Sequence, residues 1–157
     1  MLITQDQFEI LKSLEKEFKE QNLSVSLEGQ NNQITKWEHE VISLNNKETF
    51  ILNYFRPKLE ISKTKITFNA RYRKIIRLIR IDLEGTHTNP NEFGGETFEG
   101  PHIHIYDEKF HDRVAYPLSK IFITQEEIKN VDIYSILKKF LDYFNTKYPN
   151  FTPKLEL

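Results

Sequence analysis

Apolar positions near the start of the chain fall at helical spacing, with Phe8, Leu11, Leu14 and Phe18 three or four residues apart. Thr4 stands ahead of this stripe as an N-cap, Gln7 completes a capping box, and Ile3 with Phe8 forms a hydrophobic staple. The spacing predicts an amphipathic helix over 5–20 that packs on a sheet. Gln21 to Asn32, with Gly29 among Asn and Gln residues, predicts a turn-rich connection.

The period then changes. Segments at 33–44, 49–55, 60–72 and 75–83 are β-like. In the third, Ile66, Phe68, Ala70 and Tyr72 alternate with Lys65, Thr67, Asn69 and Arg71, as on a sheet with one wet face. The fourth, I-I-R-L-I-R-I-D-L, is apolar at most positions on both faces and predicts a central strand. The run H-I-H-I-Y at 102–106 predicts another. Asp132 is placed to cap a last helix, in which Ile133, Ile136, Leu137, Phe140, Leu141 and Phe144 make a wide apolar stripe. Pro149 and Pro153 end regular structure. Helix, about five strands, helix is the order of an α+β fold with a mainly antiparallel sheet, expected here as a single domain over 1–157.

Composition narrows the chemistry. The 38 % hydrophobic and 13 % aromatic content supports a globular core rather than disorder. There is no cysteine, which excludes disulfides, a Cys nucleophile and Cys-ligated zinc, and suits a reducing cytoplasm. No basic region followed by an apolar run opens the chain, and no stretch approaches the roughly 18 apolar residues of a membrane span, so a cytoplasmic protein without membrane contact is expected. The net charge of -1 hides a segregation along the chain. Arg56 to Arg80 holds nine Lys/Arg and one acid, Glu60, whereas Asp82 to Asp112 holds eight Asp/Glu and Lys109.

Four of the five glycines and four of the five histidines fall in this acidic region. Residues 85–101 predict a long loop, which inside a compact domain usually carries function. If the strands on either side pair antiparallel, the ends of the loop meet and Asp82, His87 and His102 converge. Side chains at i and i+2 share a strand face, so His102, His104 and Tyr106 are expected to project together, away from Ile103 and Ile105. Two imidazoles on one strand with a third from the loop suit one Zn²⁺ per chain, with His87, His102, His104 and Asp82 as its ligands. Asp82 is either an oxygen ligand or the acceptor that fixes a ring tautomer, and His111 or water are the other candidates for the fourth position. An ordinary polar strand face and metal-free acid–base chemistry remain the competing accounts of H-x-H. His39, in W-E-H-E, reads as a surface strand residue. Arg71, Arg73, Lys74, Arg77 and Arg80 form either a phosphate-binding strip for nucleic acid or a solvated face paired with the protein's own acids. P-loop, dinucleotide, EF-hand and short nucleophile motifs are absent.

Arg77 to Leu118 resembles an uncharacterised family of small bacterial, phage and mobile-element proteins. The resemblance rests on Asp82, Gly85, His87, Asn89 and Pro90, then Pro101, His102, His104 and Tyr106, then Asp112, Ala115, Pro117 and Leu118. The chain departs from that pattern at Lys109, at Val114 and after Pro90, which are turn positions and leave the histidines intact. The setting implies interference with host defence or a toxin-like role. In type, the chain is similar to phage anti-CRISPR inhibitors.

Two functions are therefore expected to compete. One is a zinc-containing, non-enzymatic protein in the host cytoplasm that blocks a host protein such as a CRISPR nuclease. The other is a toxin-like endoribonuclease using His102, His104, Arg77, Arg80 and Tyr106, with a zinc-dependent hydrolase between them.

Overall fold

Thr4 opens the first helix as its sequence predicts. Its Oγ1 accepts from Gln7 N at 3.1 Å, and Gln7 Oε1 accepts from Thr4 N at 2.8 Å. The computed structural model describes residues 2–27, 33–58, 61–62, 64–122 and 133–151. Helix α1 covers Gln5–Ser13 and stops well short of residue 20, because Leu14 leaves helical geometry at ψ 135°. Strand β1 (Lys16–Phe18) follows immediately.

The cause of this early stop is Lys16, which is fully buried. Its Nζ donates to the carbonyls of Lys12 at 2.9 Å, Leu14 at 2.8 Å and Phe144 at 2.7 Å, and lies 3.9 Å from the centre of the Phe144 ring. One ammonium thus satisfies carbonyls left open at the end of the first helix and beyond the last one. Burial pushes its pKa down to about 7, while three carbonyls and a ring face favour the charged form.

Strands β2 (Ser24–Val25), β3 (Thr35–Ser43), β4 (Thr49–Arg56), β5 (Thr67–Tyr72) and β6 (Ile76–Asp82) come next. A hairpin of β7 (Thr86–Thr88) and β8 (Thr97–Glu99) leads to β9 (His102–Ile105) and β10 (Ala115–Pro117). Short α2 (Leu118–Ile121), then α3 (Ile133–Tyr143) and β11 (Asn150–Phe151) complete the described chain. Seven strands form one antiparallel sheet in the order β1-β3-β4-β5-β6-β9-β10, while β11 pairs with β2 in parallel. The α+β class and the central place of β6 are as expected. The sheet is larger than five strands because β1 and β10, three residues each, are too short to show a period.

One face of the sheet and both long helices build a single apolar cluster. Phe8 and Leu11 of α1 and Ile136, Leu137, Phe140 and Leu141 of α3 meet Phe50, Leu52, Phe68, Ile79, Ile81 and Ile103. Phe140 lies 5.8 Å from Phe68, ring to ring, and Phe144 lies 5.2 Å from Phe50. The expected cap Asp132 and the stop at Pro153 lie outside the described residues. Among the described residues, no helix is long and apolar enough to cross a membrane.

The opposite face is polar, with two cross-strand rows. Thr67 faces Asp82, which faces His102; Asn69 faces Arg80, which faces His104. This face is not wet throughout: Asn69 is only 6 % exposed. The segment expected as a long loop is mostly regular. Its hairpin pairs His87 with Phe98, and Gly100 N donates to Gly85 O at 2.9 Å to close its base. Gly85 stands at φ 122°, a conformation that L side chains rarely adopt, and this lets the chain leave β6 directly into the hairpin.

Candidate metal centre

The pairing of β6 with β9 brings Asp82 opposite His102 and Arg80 opposite His104, so four candidate side chains share one patch. His102 and His104 are 4 % and 3 % exposed. His102 Nδ1 lies 2.8 Å from the carbonyl of Gly100, and His104 Nδ1 lies 2.8 Å from the carbonyl of Asp112. A carbonyl can only accept, so each Nδ1 carries the proton and each neutral ring keeps its lone pair on Nε2. Both Nε2 atoms lie 3.4 Å from the same oxygen, Asp82 Oδ2. Asp82, His102 and His104 form a group that could hold a metal ion, with ligand atoms all within 4.8 Å of one another.

Arg80 completes the patch. Its Nε donates to Asp82 Oδ2 at 2.9 Å, and its Nη2 lies 2.9 Å from His104 Nε2. Thr67 Oγ1 donates to the other carboxylate oxygen, Oδ1, at 3.0 Å. Burial alone would raise the Asp82 carboxyl; the His102 and His104 rings when protonated at Nε2, the Arg80 charge and the Thr67 hydroxyl hold it far below the usual range. Burial pulls His102 down, but the Asp82 carboxylate and the Gly100 carbonyl outweigh it and leave the imidazole above its ordinary value.

His87 stands beside the group, with its ring 4.7 Å from that of His104 and 5.7 Å from that of His102. Its Nε2 is engaged elsewhere, at 2.9 Å from Asn89 Oδ1 and 3.0 Å from the Arg113 carbonyl. Burial and the neighbouring His104 keep its pKa below the ordinary value. Asn89, 5 % exposed, also donates through Nδ2 to Ala115 O at 2.9 Å and accepts from Ala115 N at 2.8 Å. It therefore bonds both backbone groups of an edge-strand residue and fixes the hairpin to β10.

Tyr106 does not join the histidines. Strand β9 ends at Ile105, and the Tyr106 hydroxyl donates to Ile3 O at 2.8 Å and accepts from Ile3 N at 3.2 Å within the core. The phenol anchors the chain start beneath α1. His111 occupies a turn at φ 58° and stacks on Tyr106, and His39 stacks on Trp37, so neither reaches the triad. The arginines of the basic strip have acidic partners within the chain: Arg71 with Glu38, Arg73 with Glu48 at 3.7 Å, and Arg77 with Asp112 at 3.4 Å.

Two features of the site escape a reading of the chain alone: the clasp of Asn89, and the carbonyls of Gly100 and Asp112. Arg80 reaches the histidines through the strand face it shares with Asp82. Carbonyl positions depend on turns that no residue pattern specifies.

A comparison with curated proteins finds no match, and neither does a comparison with solved structures. The Asp82–His104 patch and the Asn89 clasp lie within the stretch 3–146 that matches a family model, and the chain belongs to that family, the family of unknown function DUF6978.

Proposed function

We propose that the chain is a zinc-binding protein that acts by binding a macromolecular partner rather than by turnover. The observation that carries the metal reading is the pair of buried imidazoles, each held at Nδ1 by a backbone carbonyl and each turning Nε2 toward one carboxylate oxygen. Such outer contacts fix the tautomer that a metal ligand requires. A tetrahedral zinc ion about 2.0–2.1 Å from its ligands separates them by about 3.3–3.4 Å. The Asp82–His102 and Asp82–His104 separations, both 3.4 Å, match that spacing, and all three donor atoms lie within 4.8 Å of one another. When bound, the ion would tie β6 to β9 directly beneath the hairpin.

Burial of the histidines counts against the endoribonuclease. A ribose hydroxyl must reach a general base within hydrogen-bond distance, and rings 4 % and 3 % exposed offer little access. The hairpin instead displays Glu96 and Glu99 to solvent, carboxylates suited to a basic partner surface. The nucleic-acid channel of a host nuclease, including one of the CRISPR type, has that character. A zinc-dependent hydrolase is the second reading, favoured by one observation: Arg80 stands against the same donor atoms as a ready phosphate contact.

Elemental analysis of untagged protein is expected to find about one zinc per chain, lost in His102→Ala and His104→Ala and retained in His39→Ala. Protein free of transition metal, or equal zinc in all three variants, refutes the ligand set. Labelled RNA incubated with zinc-loaded protein is expected to stay intact. Cleavage abolished by His104→Ala would make the enzyme reading the correct one.

A further inference from the structure

Arg80 holds two of the three donor atoms that a metal would take. Its guanidinium bonds Asp82 Oδ2 and His104 Nε2, both at 2.9 Å. A divalent ion on those atoms would repel the guanidinium and remove its acceptors. The charge balance changes as well. Asp82 and Arg80 sum to zero; adding Zn²⁺ leaves a net of about +2 at the patch.

A second observation lies along the same row. Asn53 faces Asn69 and Asn69 faces Arg80 across adjacent strands, so the two amides extend the row away from the triad. Asn69 is 6 % exposed, and the Oδ1 atoms of Asn69 and Asn53 are buried without a hydrogen-bond partner. Buried polar groups in folded proteins are nearly always satisfied, so two orphaned amide oxygens side by side, next to an arginine, point to a missing donor or to amides that turn end for end when a partner arrives.

We propose that Arg80 and Asn69, with Asn53 behind them, form a phosphate subsite beside the metal triad, filled by a phosphate dianion once the metal is bound. The proposal rests on the metal reading above. Released from Asp82, the arginine fork offers Nε–H and Nη2–H to phosphate oxygens, a geometry that guanidinium and phosphate share. An amide turned end for end presents its NH₂ group to the same anion, since the two ends are nearly interchangeable in shape. Asp82, His102 and His104 supply three ligands, which leaves a tetrahedral ion one position for a phosphate oxygen. A dianion balances the loaded patch where a carboxylate balances only half of it. The Arg80 and Asp82 side chains are 27 % and 18 % exposed, so the arginine side of the patch is more open than the side of the buried imidazoles.

Calorimetric titration tests this with inorganic phosphate as the probe and acetate as the comparison anion. Each is added to chelated protein and to protein carrying one zinc with the excess removed. Phosphate is expected to bind the zinc-loaded protein at least about tenfold more tightly than the chelated protein, and zinc affinity must rise by the same factor in phosphate. Arg80→Gln is expected to retain zinc and lose the phosphate preference. Equal phosphate binding with and without zinc, or acetate binding as tightly as phosphate, overturns the subsite and leaves the zinc centre standing. Failure of the wild-type protein to take up zinc overturns both.

Discussion

Replacing Asn89 with alanine removes the clasp between the hairpin and the sheet, and its cost follows from the bonds it makes. Asn89 Oδ1 accepts from Ala115 N at 2.8 Å and lies 2.9 Å from His87 Nε2, while Nδ2 donates to Ala115 O at 2.9 Å. Ala115 is 1 % exposed and lies on β10, the edge of the sheet, so no further strand supplies partners on its outer side. Each buried backbone group left unsatisfied costs about 1–3 kcal/mol, and two such groups with some rescue by water cost roughly 3 kcal/mol. In a domain of this length, 1 kcal/mol moves the melting temperature by about 2–4 °C. A fall of roughly 6–12 °C is therefore expected in circular-dichroism melts of Asn89→Ala. Hydrogen exchange should speed up at the Ala115 amide and in the hairpin while α1 and α3 stay protected. A variant that melts within about 1 °C of the wild type, with Ala115 still protected, refutes the clasp.

Lys16→Met is expected to cost about 3–5 kcal/mol, because it leaves three buried carbonyls without their common donor, and the urea midpoint measures it. Zinc at one hundred times its dissociation constant is expected to stabilise the protein by about 2.7 kcal/mol in thermal melts, and a chelator to reverse the gain. In the metal-free protein, the His102–Asp82 contact has a folded pKa above the ordinary 6.5, so its stabilisation is full below 6.5 and is lost as pH rises through the raised value. Zinc competes with that same proton, so zinc affinity should fall as pH drops below the raised value; affinity constant from pH 8 to pH 6 would contradict it. Tyr106→Phe is expected to lower the melting temperature by removing a buried hydroxyl bonded to Ile3, and to leave zinc content unchanged.

Much of the site was legible because strand geometry is so regular. The i, i+2 spacing put His102 and His104 on one face, and a return of the chain from β6 into β9 was enough to bring Asp82 to them. The same rule failed at Tyr106, since a strand that ends at Ile105 no longer imposes its period on the next residue. The first helix was overextended because Leu14 and Phe18 suit both periods, and because lysine is ordinarily a surface residue. Lys16 is buried against the local carbonyls of Lys12 and Leu14 and a third supplied by Phe144, 128 residues along the chain. The hairpin at 86–99 was hidden by its content: Thr86, His87, Thr88, Thr97, Phe98 and Glu99 show no apolar alternation, and the hairpin is held to the sheet by the Asn89 clasp and by isolated aromatic contacts such as Phe93 with Tyr116.

The basic strip shows why a count of charges does not by itself identify a partner. Arg71, Arg73, Arg77 and Arg80 suggest a nucleic-acid surface when read along the chain, yet each meets a carboxylate of the folded protein: Glu38, Glu48, Asp112 and Asp82. Binding of a polyanion draws its strength from cations free to replace condensed counterions. A cation already paired with a carboxylate releases fewer, because a phosphate must first compete with the acid in place. Arg80 differs from the other three. Its acid is also a candidate metal ligand, so the ion that would take Asp82 would free the arginine, and among these four arginines the one able to gain an anion in this way is the one coupled to the metal. Any phosphate affinity of this face should therefore track zinc occupancy far more than ionic strength, the reverse of what a simple basic surface would give.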